Sequence, residues 1–340
     1  MIEIDGSYLE GGGQILRTAT ALATIFKKPC RIFNIRKGRK EPGLKTQHLL
    51  GLRALCEFCN GKLEGDKIGS LEVKFFPKEI IKNKISIKIP TAGSITLILQ
   101  TLILGSLRAN FPIEIFFDGG ATDTFFSPTM CHFNLCFTKI LEKMGVKVKI
   151  DVLKKGFYPK GGAKVKVKIF PSLLKPLNLT ERGDLKRILI ISGASHFLKE
   201  KRVAERQLMG VKEIFKKLKF PFEENIKYYQ TLSPGSFVCI IGEFENTILG
   251  CDNLGEVGKR AEKVGKECAL EFLREFESRA CLDRFLGDQI LPYLALANKK
   301  SVIKVSKITP HSKTNIWVIE KFLKGKFEIK DNLIFWFPSC

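Results

Sequence analysis

Gly13-Gln-Ile-Leu-Arg-Thr-Ala-Thr-Ala-Leu22 resembles Asp288-Gln-Ile-Leu-Pro-Tyr-Leu-Ala-Leu296, although the two stretches lie near opposite ends of the chain. Between them, Gly93-Ser-Ile-Thr-Leu-Ile-Leu-Gln-Thr-Leu102 has the same character of a loop that leads into an apolar helix. Internal similarity of this kind indicates a repeated structural unit. The sequence therefore predicts a fold that is built from copies of one unit.

A second helical pattern follows each of these stretches, with apolar residues at three- and four-residue spacing. These patterns cover His48–Cys59, His132–Met144 and Ser312–Leu323. A β-rich stretch that ends in Phe-Pro comes next in each case, at Phe76-Pro77, Phe170-Pro171 and Phe337-Pro338. The pattern predicts an α/β (α+β) fold with three βαβαββ-type units near residues 1–80, 81–175 and 280–340.

Residues 180–279 separate the second copy from the third and have a pattern of their own. The sequence predicts strands near 187–192, 226–231 and 237–244, and helices near 198–218 and 256–276. We interpret this segment as a small α/β domain inserted into a main domain of residues 1–179 and 280–340. The alternative, two unrelated tandem domains, leaves the three Phe-Pro endings unexplained.

The composition is that of an ordinary globular chain with a large basic excess. The 340 residues include 57 Lys+Arg and 35 Asp+Glu, which gives a net charge of +22. This excess favours an anionic partner, namely nucleic acid, a nucleotide or an acidic membrane surface. Only 14 of the cations are Arg, and four of those lie within residues 17–39. Their positions are therefore more informative than the total charge.

Several features predict a cytoplasmic protein that does not span a membrane. The most apolar window, Ile95–Leu107, is short and contains Gln100 and Ser106. The first residues lack the basic and apolar regions of a secretion signal. The ten cysteines are scattered, mostly in apolar surroundings, which favours reduced thiols. Cys56 and Cys59 form a lone CxxC, for which buried thiols are favoured over a metal or redox role.

The Gly-rich segment Glu10-Gly-Gly-Gly-Gln-Ile-Leu-Arg17 is the first candidate site. Glycines between a strand and a helix allow a ligand to approach the backbone, and free N–H groups at a helix N-terminus bind anions. Glu10 adds a ligand for a hard metal, and Arg17 adds a phosphate-binding group. The alternative is a tight turn with a surface ion pair.

The densest cationic segment is Ile35-Arg-Lys-Gly-Arg-Lys-Glu-Pro-Gly-Leu-Lys-Thr-Gln-His48. Arg36 and Arg39 in one loop suit bidentate phosphate binding, although a solvated basic loop is the alternative. Among the four histidines, His311 follows a proline in the loop before the last helix. Its position is that of a candidate nucleophile or general base, or alternatively of a helix-capping residue.

Taken together, these segments resemble the RNA 3′-terminal phosphate cyclase family along essentially the whole chain. The matching motifs are Asp5-Gly6, Glu10-Gly-Gly-Gly-Gln-Ile-Leu-Arg17, Arg36-x-Gly-Arg39, Pro42-Gly-Leu, Gln47-His48, Ala92-Gly-Ser-x-Thr96, Leu99-Gln100-Thr101, Gly119-Gly120, Ser127-Pro128, Gly156-Phe-Tyr-Pro-x-Gly-Gly162, Val203-Ala-Glu-Arg206, Asp288-Gln289 and His311-x-x-Thr-Asn315. The family's fold of three repeated units and an inserted small domain agrees with the pattern above.

The resemblance implies ATP-dependent closure of an RNA 3′-phosphate to a 2′,3′-cyclic phosphate. His311 matches the nucleophile that becomes adenylylated, and Glu10 matches a residue that engages magnesium or manganese beside the ATP phosphates. The positions that match phosphate-handling residues are Arg17, Arg36, Arg39 and Gln47. The positions that fall in the family's nucleotide pocket are Gln100, Pro128, Phe285, Leu286, Gly287, Asp288 and Gln289, with Phe285 where a Tyr often stacks on adenine.

Two departures and two alternatives accompany the resemblance. Lys155 stands where many members have His, and Ala163 replaces a usual Gly, which puts in doubt any role of that loop beyond structure.

A cyclase-like branch acts in ribosomal RNA processing without catalysis and lacks the nucleophilic His, so His311 favours the enzyme branch. A small-molecule transferase of repeated strand–helix units is a further alternative. The sequence leaves the oligomeric state open, with a homodimer as one option.

Overall fold

The computed structural model describes residues 1–216 and 221–339. Its strands are β1 (Ile2–Asp5), β2 (Cys30–Phe33), β3 (Lys62–Glu64), β4 (Val73–Phe76), β5 (Lys84–Ser94), β6 (Ile113–Ala121), β7 (Val148–Lys154), β8 (Lys164–Ile169), β9 (Asn178–Leu179), β10 (Leu185–Ser195), β11 (Phe222–Tyr229), β12 (Ser236–Phe244), β13 (Ile248–Leu254), β14 (Ser301–Lys304), β15 (Gly325–Lys330) and β16 (Leu333–Pro338). Its helices are α1 (Gly13–Phe26), α2 (Thr46–Phe58), α3 (Ile95–Gly105), α4 (Met130–His132), α5 (Thr138–Lys143), α6 (Val203–Phe215), α7 (Ala261–Glu277), α8 (Arg284–Leu296) and α9 (Pro310–Phe322).

Three four-stranded sheets share one strand order. The orders are β1-β2-β4-β3, β5-β6-β8-β7 and β9-β14-β16-β15. In each sheet the first two strands are parallel and the other neighbours are antiparallel. The mixed α/β class is thus confirmed. The common order supports the repeat interpretation, while the boundaries of the units stay a prediction.

A fourth sheet, in the order β11-β10-β12-β13, lies within the chain path between β9 and β14. Helices α6 and α7 pack on one of its faces and enclose a separate apolar cluster that includes Phe215, Val238 and Phe272. This arrangement supports the interpretation of residues 180–279 as an inserted unit. The division of the chain into two domains remains a prediction.

The larger core forms where helices from distant parts of the sequence meet. Helix α1 packs against α2, α3 and α9, and α9 also packs against α8. Helix α3 is almost entirely buried because nearly all of its side chains are apolar. The packing brings the start of α1 and the start of α9 into one region, although the chain passes through every sheet between them.

Some predicted helices differ from the structure in where they begin or in their helix type. The helix predicted near 198–218 begins at Val203, because Arg202 adopts a left-handed backbone with a φ of 49° after a 3₁₀ turn at His196–Leu198. Its predicted end, Leu218, lies outside the described residues. The helix predicted over His132–Met144 contains a π-helical turn at Phe133–Phe137. Within the described ranges, none of the helices is both long and apolar enough to cross a bilayer.

Candidate active site

A cleft of about 1430 Å³ gathers residues from both ends of the chain and from the middle. The sequence-predicted site residues that line it are Glu10, Arg17, Arg36, Arg39, Gln47, Gln100, Pro128, Phe285, Asp288, Gln289 and His311. Leu286 and Gly287 do not line it. Leu286 is buried in the core, and a Cβ at Gly287 would lie 2.7 Å from a methyl of Val305. A nucleotide contact from these two residues could therefore involve only their backbone, and it stays a prediction.

His311 lies in the first turn of α9. The helix begins there because Thr309 caps it, Ser312 completes the capping box and Pro310 occupies the first helical position. His311 Nδ1 lies 3.2 Å from Glu10 Oε2. Burial lowers the pKa of His311, and the nearby positive charges of Arg17 and Arg39 lower it further. The negative charge of Glu10 acts in the opposite direction but does not reverse the shift. The imidazole is therefore neutral near pH 7, and a proton on Nδ1 leaves the lone pair of Nε2 available.

Glu10 connects the nucleophile candidate to the cationic loop. Its Oε1 accepts a hydrogen bond of 2.8 Å from Arg39 Nη2, while its Oε2 faces His311. Gly12 fits between these groups, since a Cβ there would lie 3.4 Å from both Arg39 Nη2 and His311 Cε1. Gly12 also precedes α1 without any side-chain cap. The N–H groups of the first turn of α1 are thus free to face an anion.

Two arginines in the cleft form no ion pair with a carboxylate in the described part of the chain, although Glu41 lies near enough to Arg36 to act against the lowering of its pKa by burial. Arg17, within the described ranges, forms no side-chain hydrogen bond or ion pair, and burial lowers its pKa to about 10, so it stays protonated near pH 7. Arg36 donates only to the carbonyls of Glu41 and Gly43, at 2.9 and 3.0 Å. Unneutralised guanidinium groups in a cleft favour an anionic ligand such as a phosphate.

His48 lies behind the Gly-rich loop. Its Nδ1 accepts a hydrogen bond of 3.2 Å from the backbone N–H of Lys45, so it belongs to the start of α2. A Cβ at Gly13 would lie 2.1 Å from His48 Nε2, which only glycine avoids. Burial and the nearby Arg17 and Arg36 lower the pKa of His48 to about 3. His48 is therefore a neutral packing partner of the loop.

A buried hydrogen-bond network fixes α9 to α8 and α1. Asp288 Oδ1 accepts hydrogen bonds from Thr309 Oγ1, at 2.7 Å, and from Ser312 Oγ. Asn315 Nδ2 donates to the backbone carbonyl of Asp288 at 2.7 Å, and Asn315 Oδ1 accepts from Thr18 Oγ1 at 2.7 Å. This network sets the position of the helix turn that carries His311. Burial raises the pKa of the Asp288 carboxyl to about 7.

A proline explains why Asn315 is needed. In a regular helix the carbonyl of Asp288 accepts from the N–H of residue 292, but that residue is Pro292, which has no N–H. The amide of Asn315 supplies the missing donor. Sequence reasoning identified Asn315 as part of a motif but missed this role, for which Pro292 within a helical pattern was the available signal.

The other end of the cleft has the properties of a nucleobase pocket. The ring of Phe285 is 49% exposed, and the guanidinium of Arg284 lies 4.8 Å from its centroid. Gln289 Oε1 is buried without a hydrogen-bond partner in the described part of the chain. An aromatic face beside an unused amide group suits a planar ligand with hydrogen-bonding edges.

Gln47 and Pro128 lie at joints of this pocket. Gln47 Oε1 accepts from the N–H of Ser94 at 3.2 Å, and Thr96 Oγ1 donates to the carbonyl of Pro128 at 2.9 Å. The first contact fixes the start of α3 against the start of α2, and the second fixes it against the loop before α4. Gln100 of α3 lines the cleft as well.

Glu10 fits a divalent cation only as a single ligand. Among residues 1–216 and 221–339, there is no group of three or more His, Cys, Asp and Glu side chains that could hold a metal ion. Mg²⁺ in nucleotide sites is often held by one or two carboxylates together with substrate phosphates and water. The donor chemistry of Glu10 is compatible with that mode.

The Lys155 loop, where the sequence departs from the family pattern, is built into the fold. Lys155 Nζ forms a buried ion pair of 2.8 Å with Asp123 Oδ2 and lies 4.0 Å from the ring centroid of Phe237 in β12. His132 is likewise buried, with Nε2 3.4 Å from Asp283 Oδ2, and this carboxylate raises its pKa to about 9 against the opposing effect of burial. The contact with Phe237 joins the Lys155 loop to the inserted sheet, and the His132–Asp283 pair joins α4 to the start of α8.

Comparison with known proteins identifies the family of this chain. A family model described as RNA 3′-terminal phosphate cyclase matches residues 8–329. An RNA 3′-terminal phosphate cyclase of Pyrococcus furiosus is 43% identical over 331 residues, which cover 97% of this chain and 95% of the relative. Those of Pyrococcus abyssi and Methanopyrus kandleri are 41% and 40% identical, each over 97% of this chain and 95% of the relative. The chain therefore belongs to the RNA 3′-terminal phosphate cyclase family.

Proposed function

We propose that this chain converts an RNA 3′-terminal phosphate to a 2′,3′-cyclic phosphate at the expense of ATP, through a covalent AMP intermediate on His311. The observation that carries the proposal is the pairing of a neutral, half-exposed His311 with Glu10 in a cleft that holds unneutralised arginines. The names of the relatives, RNA 3′-terminal phosphate cyclases, support the RNA substrate and the cyclic product class.

In the first step, His311 Nε2 attacks the α-phosphorus of ATP. A P–N bond forms, the bond from the α-phosphorus to its bridging oxygen breaks, and pyrophosphate leaves. Glu10 holds Nδ1–H and stabilises the positive charge that develops on the imidazole ring. Arg17 and the free N–H groups at the start of α1 are suited to the negative charge on the phosphates.

In the second step, an oxygen of the RNA 3′-phosphate attacks the phosphorus of the His311 adduct. The P–N bond breaks, the imidazole is regenerated, and a diphosphate linkage joins AMP to the RNA end. The neighbouring 2′-hydroxyl then attacks the RNA phosphorus, loses its proton, and displaces AMP. Covalent catalysis of this kind divides one difficult displacement into easier ones.

Glu10 would hold a divalent cation, magnesium or manganese, together with phosphate oxygens of ATP. When bound, the ion supplies charge neutralisation on the departing pyrophosphate. Arg36 and Arg39 are suited to the RNA or ATP phosphates because of their position in the same cleft. Phe285 and Gln289 are suited to the adenine, through its face and its edge.

The test is intact-protein and peptide mass spectrometry after incubation with ATP and Mg²⁺. We expect an added AMP on the peptide that contains His311, and no adduct in His311→Ala. His196→Ala is the control, because His196 lies outside the cleft. An adduct that persists in His311→Ala would overturn the mechanism. RNA binding without any adduct in the wild type would favour the non-catalytic role in ribosomal RNA processing.

A further inference from the structure

Phe126 combines an exposed aromatic side chain with an unfavourable backbone conformation. It lies in the loop of residues 122–129 between β6 and α4, and its side chain is 103% exposed. Its backbone φ is 62°, in the left-handed region that bulky residues rarely adopt. Across the described ranges, its ring contacts no other ring and no cation. Strained and exposed residues of this kind at a cleft point to a ligand.

The loop that carries Phe126 is held firmly. Ser127 Oγ donates to the carbonyl of Thr124 at 2.8 Å, and the N–H of Thr129 donates to Asp252 Oδ2 at 2.6 Å. Thr96 Oγ1 holds the carbonyl of Pro128 from the opposite side. The ring is thus presented on a fixed backbone, which reduces the entropic cost of ordering the loop when a ligand binds.

Tyr158 is another exposed ring that lines the same cleft. Its side chain is 60% exposed, whereas its neighbour Phe157 is buried. Ser233 Oγ donates to the carbonyl of Phe157 at 2.9 Å, which fixes the backbone of this loop. Two anchored loops, from different parts of the chain, therefore each present an aromatic face to one cleft.

The charges of the cleft indicate what these rings meet. Lys40 lines the cleft and, like Arg17, forms no ion pair with any residue that the structure describes. Arg36 donates its hydrogen bonds to carbonyls and forms no ion pair in the described ranges, although Glu41 is a nearby carboxylate. Surfaces that combine unneutralised cations with exposed aromatic rings are typical of single-stranded nucleic-acid sites, where bases stack and the backbone meets the cations.

We infer that Phe126 and Tyr158 stack on bases of the single-stranded RNA that precede its reacting 3′-phosphate. The inference rests on the proposed function, because the terminal phosphate must reach His311 inside the cleft while the rest of the RNA leaves it. The fully exposed tip of the loop at Phe126 suits a polymer that continues beyond the cleft. In the proposed function the adenine of ATP uses a different ring of the same cleft, Phe285.

Phe126→Ala and Tyr158→Ala test the inference with a short single-stranded RNA that ends in a 3′-phosphate. Loss of one stacked base corresponds to a rise in KM for the RNA of about 5- to 150-fold. Formation of the AMP adduct from ATP alone, which involves no RNA, keeps its rate. Phe126→Trp retains the stacking face and restores the KM. An RNA with an abasic nucleotide at the stacked position weakens binding to the wild type but not to Phe126→Ala.

Phe197→Ala is the matched control, since Phe197 is an exposed ring outside the cleft and its loss leaves both measurements unchanged. An unchanged KM for RNA in both test variants overturns the inference. A raised KM for ATP in adduct formation also overturns it, because the rings then serve adenine. Fluorescence anisotropy with labelled RNA measures RNA binding without catalysis, so the stacking inference and the catalytic proposal can fail separately. If the wild type forms no adduct but loses RNA affinity in Phe126→Ala, the stacking stands and the catalytic proposal fails.

Discussion

Replacing Asn315 tests how the turn that carries His311 is held. Asn315 is buried, and its amide makes one hydrogen bond to the carbonyl of Asp288 and one to the hydroxyl of Thr18. The first bond replaces the donor that Pro292 lacks. Asn315→Ala removes both bonds and leaves the Asp288 carbonyl without a partner, whereas Thr18 can turn its hydroxyl to its own helix.

The magnitude follows from these contacts. Two net hydrogen bonds are worth about 1 kcal/mol each, and a stranded buried carbonyl costs about 1–3 kcal/mol. Part of these terms overlaps, so we expect Asn315→Ala to lower the free energy of unfolding by about 2–4 kcal/mol. In a Pro292→Ala background the N–H of residue 292 can bond to Asp288. The cost of Asn315→Ala should then fall by about 1–2 kcal/mol.

Urea unfolding of the wild type, the two single variants and the double variant measures this coupling. Thr18→Val is the control for the other bond of Asn315: it leaves the buried Asn315 Oδ1 without its donor, at an expected cost of about 1–3 kcal/mol, and this cost should be the same with and without Pro292. The rate of AMP adduct formation in the same variants reports on the position of His311, and it should fall in Asn315→Ala more than in Thr18→Val. An equal cost of Asn315→Ala in the presence and absence of Pro292 would refute the explanation.

Three further predictions concern charge. Arg17→Gln removes a guanidinium that has no acidic partner in the described ranges, so the urea midpoint of unfolding should stay unchanged. The KM for ATP or for RNA should rise about tenfold or more, and two unchanged KM values would contradict this. Glu10→Gln should slow adduct formation about 10- to 100-fold and alter its dependence on Mg²⁺, and identical metal titrations would refute the role. Burial and Arg17 lower the pKa of His48 to about 3, whereas an unfolded His has about 6.5. As the pH falls, the unfolded chain therefore binds the proton first, and the free energy of unfolding should decrease from about pH 6.5 towards pH 3. Urea unfolding across this pH range should show a smaller decrease in His48→Gln, and parallel curves for the wild type and the variant would exclude His48 as the cause.

Elements with a strong local pattern were predictable from the sequence. Lys and apolar residues alternate along Lys164–Phe170, and β8 covers Lys164–Ile169 because one face is buried and the other is exposed. The helix predicted over Ser312–Leu323 corresponds to α9, since Val318, Ile319 and Phe322 are spaced for one buried face. Arg17 and His311 were also expected at one site, because Arg17 follows a Gly-rich segment and His311 follows a proline. His311 was expected in the loop before the last helix, but it lies in the first turn of α9 because Thr309 caps the helix one residue before Pro310.

Features that depend on two distant segments were not predictable in this way. The role of Asn315 depends on its contact with α8, and the exposure of Phe126 depends on a loop conformation that no local pattern specifies. Leu286 was placed in the nucleotide pocket, but its side chain packs in the core because Asp283 starts α8 just before it and directs it inward. Short strands such as β13 were missed since polar residues interrupt their apolar pattern.

The hydrogen bond between Thr18 and Asn315 spans 297 positions of the sequence. During synthesis the Gly-rich loop, Arg17 and α1 leave the ribosome long before α9 exists, and domains generally form from the N-terminus onward. The early segments therefore present the Gly-rich loop and Arg17 before His311 has been made. By the proposed route, a nascent or truncated chain that stops before α9 would consume no ATP. Turnover by that route would begin only once α9 has docked on α1 and α8.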